Sequence, residues 1–158
     1  MHVEERHVDR NAVETTLSAS RALLGVVARS VSTALESVTL PQFRVLIVLS
    51  TTGPMRTGLL AEKMHAVPST FSRSIDRMVA GGWVERIDSP DSRREVIITL
   101  TALGRALVDE VSDRRREEIS VILSRLSSAD RTLIQTAFAT FAEAAGESST
   151  EELLILGI

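Results

Sequence analysis

Apolar positions in this chain recur at helical intervals over most of its length, with one short stretch that alternates instead. Between residues 8 and 38, Leu17, Leu24, Val31 and Val38 recur every seven positions, and Val13, Ser20, Val27 and Ala34 recur at the same interval between them. This is an a/d seam, and it predicts one long helix whose apolar edge asks for a partner helix. The seam can be met inside one chain or by a second copy. Its four-heptad length exceeds what a small domain covers, which favours a second subunit.

Pro41 sits where a second helix starts, with Thr39 as its cap. The run from Phe43 to Leu49 is nearly all apolar, so that helix should be buried, and Thr51-Thr52-Gly53-Pro54 should stop it. Thr57 is expected to cap a short third helix over 58–64, with Leu59, Leu60 and Met64 facing inward. A fourth helix opens at Pro68 and closes at Gly81-Gly82. Its inward stripe is Phe71, Ile75, Met78 and Val79, and its opposite face carries Ser69, Thr70, Ser72, Arg73, Asp76 and Arg77.

Residues 83–87 and 95–100 alternate, which predicts two strands joined by the polar, turn-rich stretch 88–94. Thr101 then caps a long helix reaching about Leu126. Asp130 is expected to start a last helix with Leu133, Ile134, Ala137, Phe138 and Phe141 on one face. Residues 147–150 look like a joint, and the segment after them, with Leu153, Leu154 and Leu156, is too apolar to leave in water. A short helix, a tight turn at 65–67, a polar-faced helix and a hairpin with a basic tip follow one another. Together they predict a mainly α single domain over 1–158 with a small β-hairpin wing. A winged helix-turn-helix occupies 40–101, flanked by dimerisation helices at 8–38 and 102–158.

Composition narrows this further. With 158 residues, 44% hydrophobic and 25% charged, the chain has the balance of one soluble globular domain. No apolar run approaches the roughly 20 residues of a membrane span. The first residues are acidic and lack the apolar core of a signal peptide, so a cytoplasmic location is expected. The absence of cysteine excludes a disulfide scaffold, a thiolate nucleophile, a thiolate metal site and a thiol switch. Aromatics are only 3%, which speaks for helices over a β-sandwich.

Charge is uneven. Residues 56–94 hold seven Arg or Lys against five Asp or Glu, residues 1–55 hold five of each, and residues 95–158 hold six against eleven. The net charge of −3 argues against a uniformly basic nucleic-acid binder, but the middle of the chain is its basic part. Seventeen of the 18 basic residues are arginine, the side chain suited to bidentate contacts with phosphates and bases, although codon bias gives the same composition.

The polar face of the fourth helix suits a major groove about 12 Å wide. Ser69 and Thr70 allow close approach at its start, Arg73 can reach guanine bidentately, and Arg77 lies a turn further along, toward phosphate. Arg93 and Arg94 can reach a flanking minor groove. Each residue also has an ordinary reading as a solvated surface group, and Asp76 can pair with Arg73 or Arg77 on the same helix. Enzymatic chemistry finds no footing. His2 and His7 are five apart, His65 sits alone in the turn, and neither a Gly-rich phosphate loop nor a nucleophile elbow occurs. No cofactor or metal is expected.

Residues 40–107 resemble the MarR family of bacterial transcriptional regulators. The resemblance is carried by Leu40-Pro41-Gln42-Phe43-Arg44-Val45-Leu46, by 57–64, by 68–78, by Gly82-Trp83-Val84-Glu85-Arg86, and most specifically by 89–104. It implies a homodimer with interlaced first and last helices, bound to pseudo-palindromic double-stranded DNA. It also implies repression relieved by a small aromatic or lipophilic effector, whose pocket residues stay unassigned. The expected DNA-contacting set is Thr57, Ser69, Thr70, Ser72, Arg73, Arg77, Arg93 and Arg94. The expected dimerisation set is Val13, Leu17, Leu24, Val27, Val31, Phe138, Phe141, Leu153, Leu154 and Leu156. Two positions depart from the pattern. Ser92 stands where the family usually has Asp, and Val67 stands where a Ser or Thr often caps the recognition helix. A winged helix that holds a protein instead of DNA is the alternative, and salt dependence of DNA affinity separates the two.

Overall fold

The computed structural model describes residues 9–89 and 92–145, with the side chains of Ser89 and of 92–94 outside that description. Six α-helices and three strands are found among these residues. Helix α1 spans Arg10–Ser32, with the Asp9 carboxylate accepting from the Asn11 amide at 3.0 Å. It does not run on to residue 38. A 3-10 turn at Ala34–Glu36 follows, and α2 begins at Leu40 and ends at Thr52. The break has a local cause. Thr39 is extended and forms a capping box with Gln42, each side chain reaching the other's backbone amide, so a new helix starts there. Ala34 and Val38, which extended the predicted seam, are instead buried in the domain core.

Helix α2 is the centre of that core. Phe43, Val45, Leu46, Val48 and Leu49 are all buried, as its apolar run requires. Against it pack α3 (Thr57–Lys63), α4 (Pro68–Ala80) and a small sheet. The sheet adds a strand that alternation did not reveal, because β1 (Met55–Arg56) is only two residues long. It pairs antiparallel with β3 (Ser92–Leu100), which in turn pairs with β2 (Val84–Ser89), in the order β1-β3-β2. Both wing strands extend further toward the tip than predicted, and their ladder becomes irregular between Asp88 and Ser89.

Two further expectations need correction. Thr57 is the first residue of α3 and does not cap it. Its hydroxyl donates to the Val96 carbonyl at 3.1 Å, which ties the helix start to β3. Leu59 faces solvent, while Leu60 is buried and Met64 packs against the core. A seven-residue helix lying along a sheet buries only one narrow stripe.

Helix α5 (Ala102–Ser124) begins where the wing returns. The Thr101 hydroxyl accepts from the Gly104 amide at 3.1 Å and donates to the Gly82 carbonyl at 2.6 Å, so one side chain caps α5 and fastens it to the end of the α4 turn. Only the first half of α5 enters the core, through Gly104, Val108 and Val111. Its second half lies on α1. There Arg29 pairs with Glu118 at 2.9 Å, and Arg115 Nε donates to the fully buried Ser30 hydroxyl at 3.2 Å. Burial pushes the Arg115 pKa down from its ordinary value. Helix α6 (Ser128–Ala144) starts two residues earlier than predicted, because Ser127 is the cap and Asp130 its reciprocal partner, bonded at 2.6 Å. None of its residues is buried. Among the described residues no helix is long and apolar enough to cross a membrane.

Gly104 is required by a close approach. A Cβ built there would lie 2.1 Å from the Trp83 carbonyl oxygen, a backbone atom that cannot step aside. Replacing it by alanine should destabilise the domain by about 1–3 kcal/mol despite the better helix propensity. Urea unfolding at unchanged m-value checks this, and equal midpoints would show that α5 is free to lift off β2. The second forecast concerns α4, whose N-cap residue Val67 is extended, exposed and makes no side-chain cap. Val67→Ser should raise stability by about 0.5–2 kcal/mol in the same assay. No gain would mean that its first amides are already satisfied.

Candidate nucleic-acid interface

The turn between α3 and α4 sets everything that follows. His65 adopts φ +49°, the left-handed region in which non-glycine residues are uncommon. The chain reverses there, with the His65 amide bonded to the Glu62 carbonyl at 2.9 Å and the Ala66 amide to the Ala61 carbonyl at 3.0 Å. These bonds satisfy the last carbonyls of α3 and start α4 across it. Pro68 then supplies a first helical residue that needs no amide partner.

Helix α4 is sharply two-sided. Phe71, Ile75 and Met78 are buried and Val79 packs against the core, as the sequence predicts. Ser69, Thr70, Ser72, Arg73, Asp76 and Arg77 are all exposed on the other side. The Asp76 carboxylate pairs with neither arginine of its own helix. It accepts from Arg86 Nη2, reaching over from β2, at 2.6 Å. A solvent-exposed pair of this kind contributes little stability. Its consequence is electrostatic, because the one acidic group on the polar face is neutralised from outside the helix. Among the described residues the side chains of Arg73 and Arg77 then have no hydrogen bond or ion pair. Two guanidinium groups on a rigid helix face, each without an internal partner, can each donate a bidentate pair of hydrogen bonds to oxygen or nitrogen acceptors from outside.

Thr57 sits at the base of the sheet with its hydroxyl already engaged by Val96. Arg93 and Arg94 fall on the backbone of β3, near the wing tip, with their side chains outside the description, as is that of Ser92. Of the candidate dimerisation residues, Val13, Leu17, Leu24, Phe138 and Phe141 are exposed; Leu24 leaves 58% of its surface open and Phe141 57%. Val27 and Val31 are half-buried, Val31 against the domain core. Leu153, Leu154 and Leu156 lie outside the described residues. Among the described residues no group of three or more His, Cys, Asp or Glu side chains gathers as a metal site would.

Two residues of this surface escaped the sequence reading. Arg86 shows in the sequence as part of an alternating strand and of the family-like stretch 82–86, neither of which reveals its pairing with Asp76 across from β2. Arg44 lies inside an apolar run, where a single charge carries no periodic signal.

Comparison with known proteins agrees with this geometry. A model of the MarR family matches residues 38–96. The crystal structure of RV1404 from Mycobacterium tuberculosis superposes with a TM-score of 0.79 at 35% identity, covering 89% of this chain and 97% of that one. The HTH-type transcriptional regulator YsmB of Bacillus subtilis is 40% identical over 81 residues, 51% of this chain and 56% of its own length. The multiple antibiotic resistance protein MarR of Salmonella typhimurium is 27% identical over 93 residues, 59% of this chain and 65% of its own. The match thus spans less than two thirds of these two relatives. The shared segment contains the helix-turn-helix and most of the wing, and the full-length superposition extends the likeness to the flanking helices: the chain belongs to the MarR family.

Proposed function

We propose that this protein is a sequence-specific DNA-binding transcriptional regulator that acts as a homodimer on a pseudo-palindromic operator, most simply as a repressor released by a small aromatic or lipophilic effector. The observation that carries the reading is the two-sided α4. Its apolar stripe fixes the helix while its polar face presents Arg73 and Arg77 without internal partners. Ser69, Thr70, Ser72 and Arg73 face base edges in the major groove, and Arg77 faces phosphate. Arg93 and Arg94 are assigned to the flanking minor groove on the strength of the family resemblance and their place near the wing tip. Thr57 stands at the rim, with its hydroxyl turned to β3.

The dimer reading rests on α1 and α6. Helix α6 buries nothing, yet it presents Leu133, Phe138 and Phe141 to the outside. Helix α1 likewise exposes Val13, Leu17 and Leu24. Large apolar side chains left exposed along both flanking helices are what an obligate subunit interface leaves behind when one copy is viewed alone. A dimer also fits the chemistry of the target, because two recognition helices related by a twofold axis read two half-sites about one helical turn apart. Release by an effector rests on the family resemblance alone, and no described cleft is assigned to it.

Arg73→Ala should weaken binding to the operator by about 1–3 kcal/mol and narrow the gap between operator and random duplex. Fluorescence anisotropy on both duplexes reads this, and wild-type discrimination in the variant would remove Arg73 from the base-reading set. Leu24→Glu places a charge on the exposed edge of α1 and should yield monomers or unfolded chains. Light scattering that still finds a folded dimer would show that subunits meet elsewhere.

A further inference from the structure

Clefts of comparable size open among the described residues, and three of them differ in how their charges are arranged. One of about 640 Å³ lies at the foot of the wing, where Arg56 is paired with Glu95 at 3.1 Å and Glu62 adds a second carboxylate. Another of about 480 Å³ lies between α1 and α5, where Arg29 is paired with Glu118 and Glu117 stands beside them. The third, about 460 Å³, lies between the start of α2, the helix-turn-helix turn and one edge of α4. Its polar lining is Thr39, Arg44, His65, Thr70, Ser74 and Arg77, and among the described residues no carboxylate lines it.

Arg44 makes this cleft unusual. Its Nε is shut off from solvent and has no hydrogen-bond partner, and among the described residues its guanidinium enters no ion pair. A buried donor left unmade costs free energy, and more so on a charged group. Arg77, on the facing edge of α4, is equally without an internal partner. Arg44 and Arg77 line one space with Thr70 and Ser74, and two like charges bordering one cleft favour an anion within it. The cleft opens at the edge of the recognition face and shares Thr70 and Arg77 with it. Thr70, Ser74 and Arg77 recur at i, i+4 and i+7 along the flank of α4, while Ser69, Ser72 and Arg73 occupy the adjoining flank. A helix seated in a major groove has a phosphate strand along each flank.

We infer that the cleft is a clamp for one backbone phosphate of the bound duplex, with Arg44 on α2 and Arg77 on α4 as its two arms. The inference rests on the DNA-binding reading above and adds a contact from α2, outside the recognition helix and the wing. Its occupant is an oxyanion of tetrahedral shape held by charge and by fixed N–H directions, so the contact sets affinity and register and carries no base preference. The clamp also gives α2 a second role, because the helix that forms the core then positions the duplex directly.

The test uses the full chain, with Arg44→Gln and Arg44→Lys, on the operator duplex and on a set of duplexes that each carry one neutral methylphosphonate linkage. Arg44→Gln should bind both operator and random DNA roughly tenfold more weakly, the loss of one charge-assisted bond, and its salt slope should fall by about 1. Arg44→Lys should keep the slope and lose part of the affinity, since it restores charge without the fixed fork. In the wild type, one linkage per half-site should cost affinity when neutralised, and Arg44→Gln should be indifferent to that linkage while still sensing the others. Melting temperature separates a structural role, since removing an unpaired buried donor should not lower it. Wild-type affinity and slope in Arg44→Gln, or equal penalties at every linkage in both proteins, would overturn the clamp while leaving the regulator reading intact. A wild type that binds no DNA selectively would overturn both.

Discussion

Three side chains, Phe71, Ile75 and Met78, bind α4 to the domain, and the exposed chemistry depends on their doing so. Each removes an apolar side chain from water, worth about 1.5–3 kcal/mol apiece by surface transfer. That is ample to fix the rotation of a 13-residue helix about its own axis. With the rotation fixed, the polar residues have no choice of direction. The left-handed turn at His65 fixes the other coordinate, the angle at which α4 leaves α3. A helix free to roll would scatter Ser69, Ser72 and Arg73 over many orientations, and the entropy of ordering them would fall on the binding step.

The remaining elements support that arrangement from two sides. On the wing side, Arg86 reaches back to Asp76 and removes the one negative charge from the recognition face. Thr57 and Thr101 link helix starts to neighbouring backbone, the first to β3 and the second to the end of α4. On the other side, α5 crosses directly over the Trp83 backbone, a contact only glycine at 104 permits, and then runs out along α1. The same helix therefore belongs to the DNA-reading lobe at one end and to the exposed apolar helices at the other. Arg29–Glu118 and the buried Arg115–Ser30 bond hold its far half to α1. In the dimer proposed above, a shift of one subunit against the other would be carried to the wing and the α4 turn by α5, through its contacts with Gly82 and Trp83.

Much of this was legible in the sequence, and the rest was not for definite reasons. An apolar run between Pro41 and Gly53-Pro54 located α2, the Thr101 cap located α5, and a periodic apolar stripe located α4, whose Pro68 start and Gly81-Gly82 end were readable from the two residues that tolerate those backbone positions. The exposed face of α4 followed from the same stripe. Legibility failed where a short-range signal competed with a tertiary one. The heptad spacing of α1 ran on through Ala34 and Val38, but the Thr39–Gln42 capping box overrode it and turned both residues into the core. Strand β1 was too short to alternate. Asp130 looked like the start of the last helix because it precedes an apolar stripe, whereas Ser127 three residues earlier caps it. The partner of Asp76 and the unmet donor of Arg44 are properties of packing between distant segments, which spacing along one chain does not encode.

The central claim is that the polar face of α4 reads a DNA sequence, and one titration addresses it directly. Fluorescence anisotropy would compare the purified protein on the intergenic DNA upstream of its own gene with a scrambled duplex of equal length and composition, at two salt concentrations. The account predicts binding to the upstream duplex tighter than to the scrambled one by at least about 10³-fold, with an affinity that falls steeply as salt rises. Weak binding, equal on both duplexes and insensitive to salt, would contradict it and point to a winged helix whose polar face meets a protein.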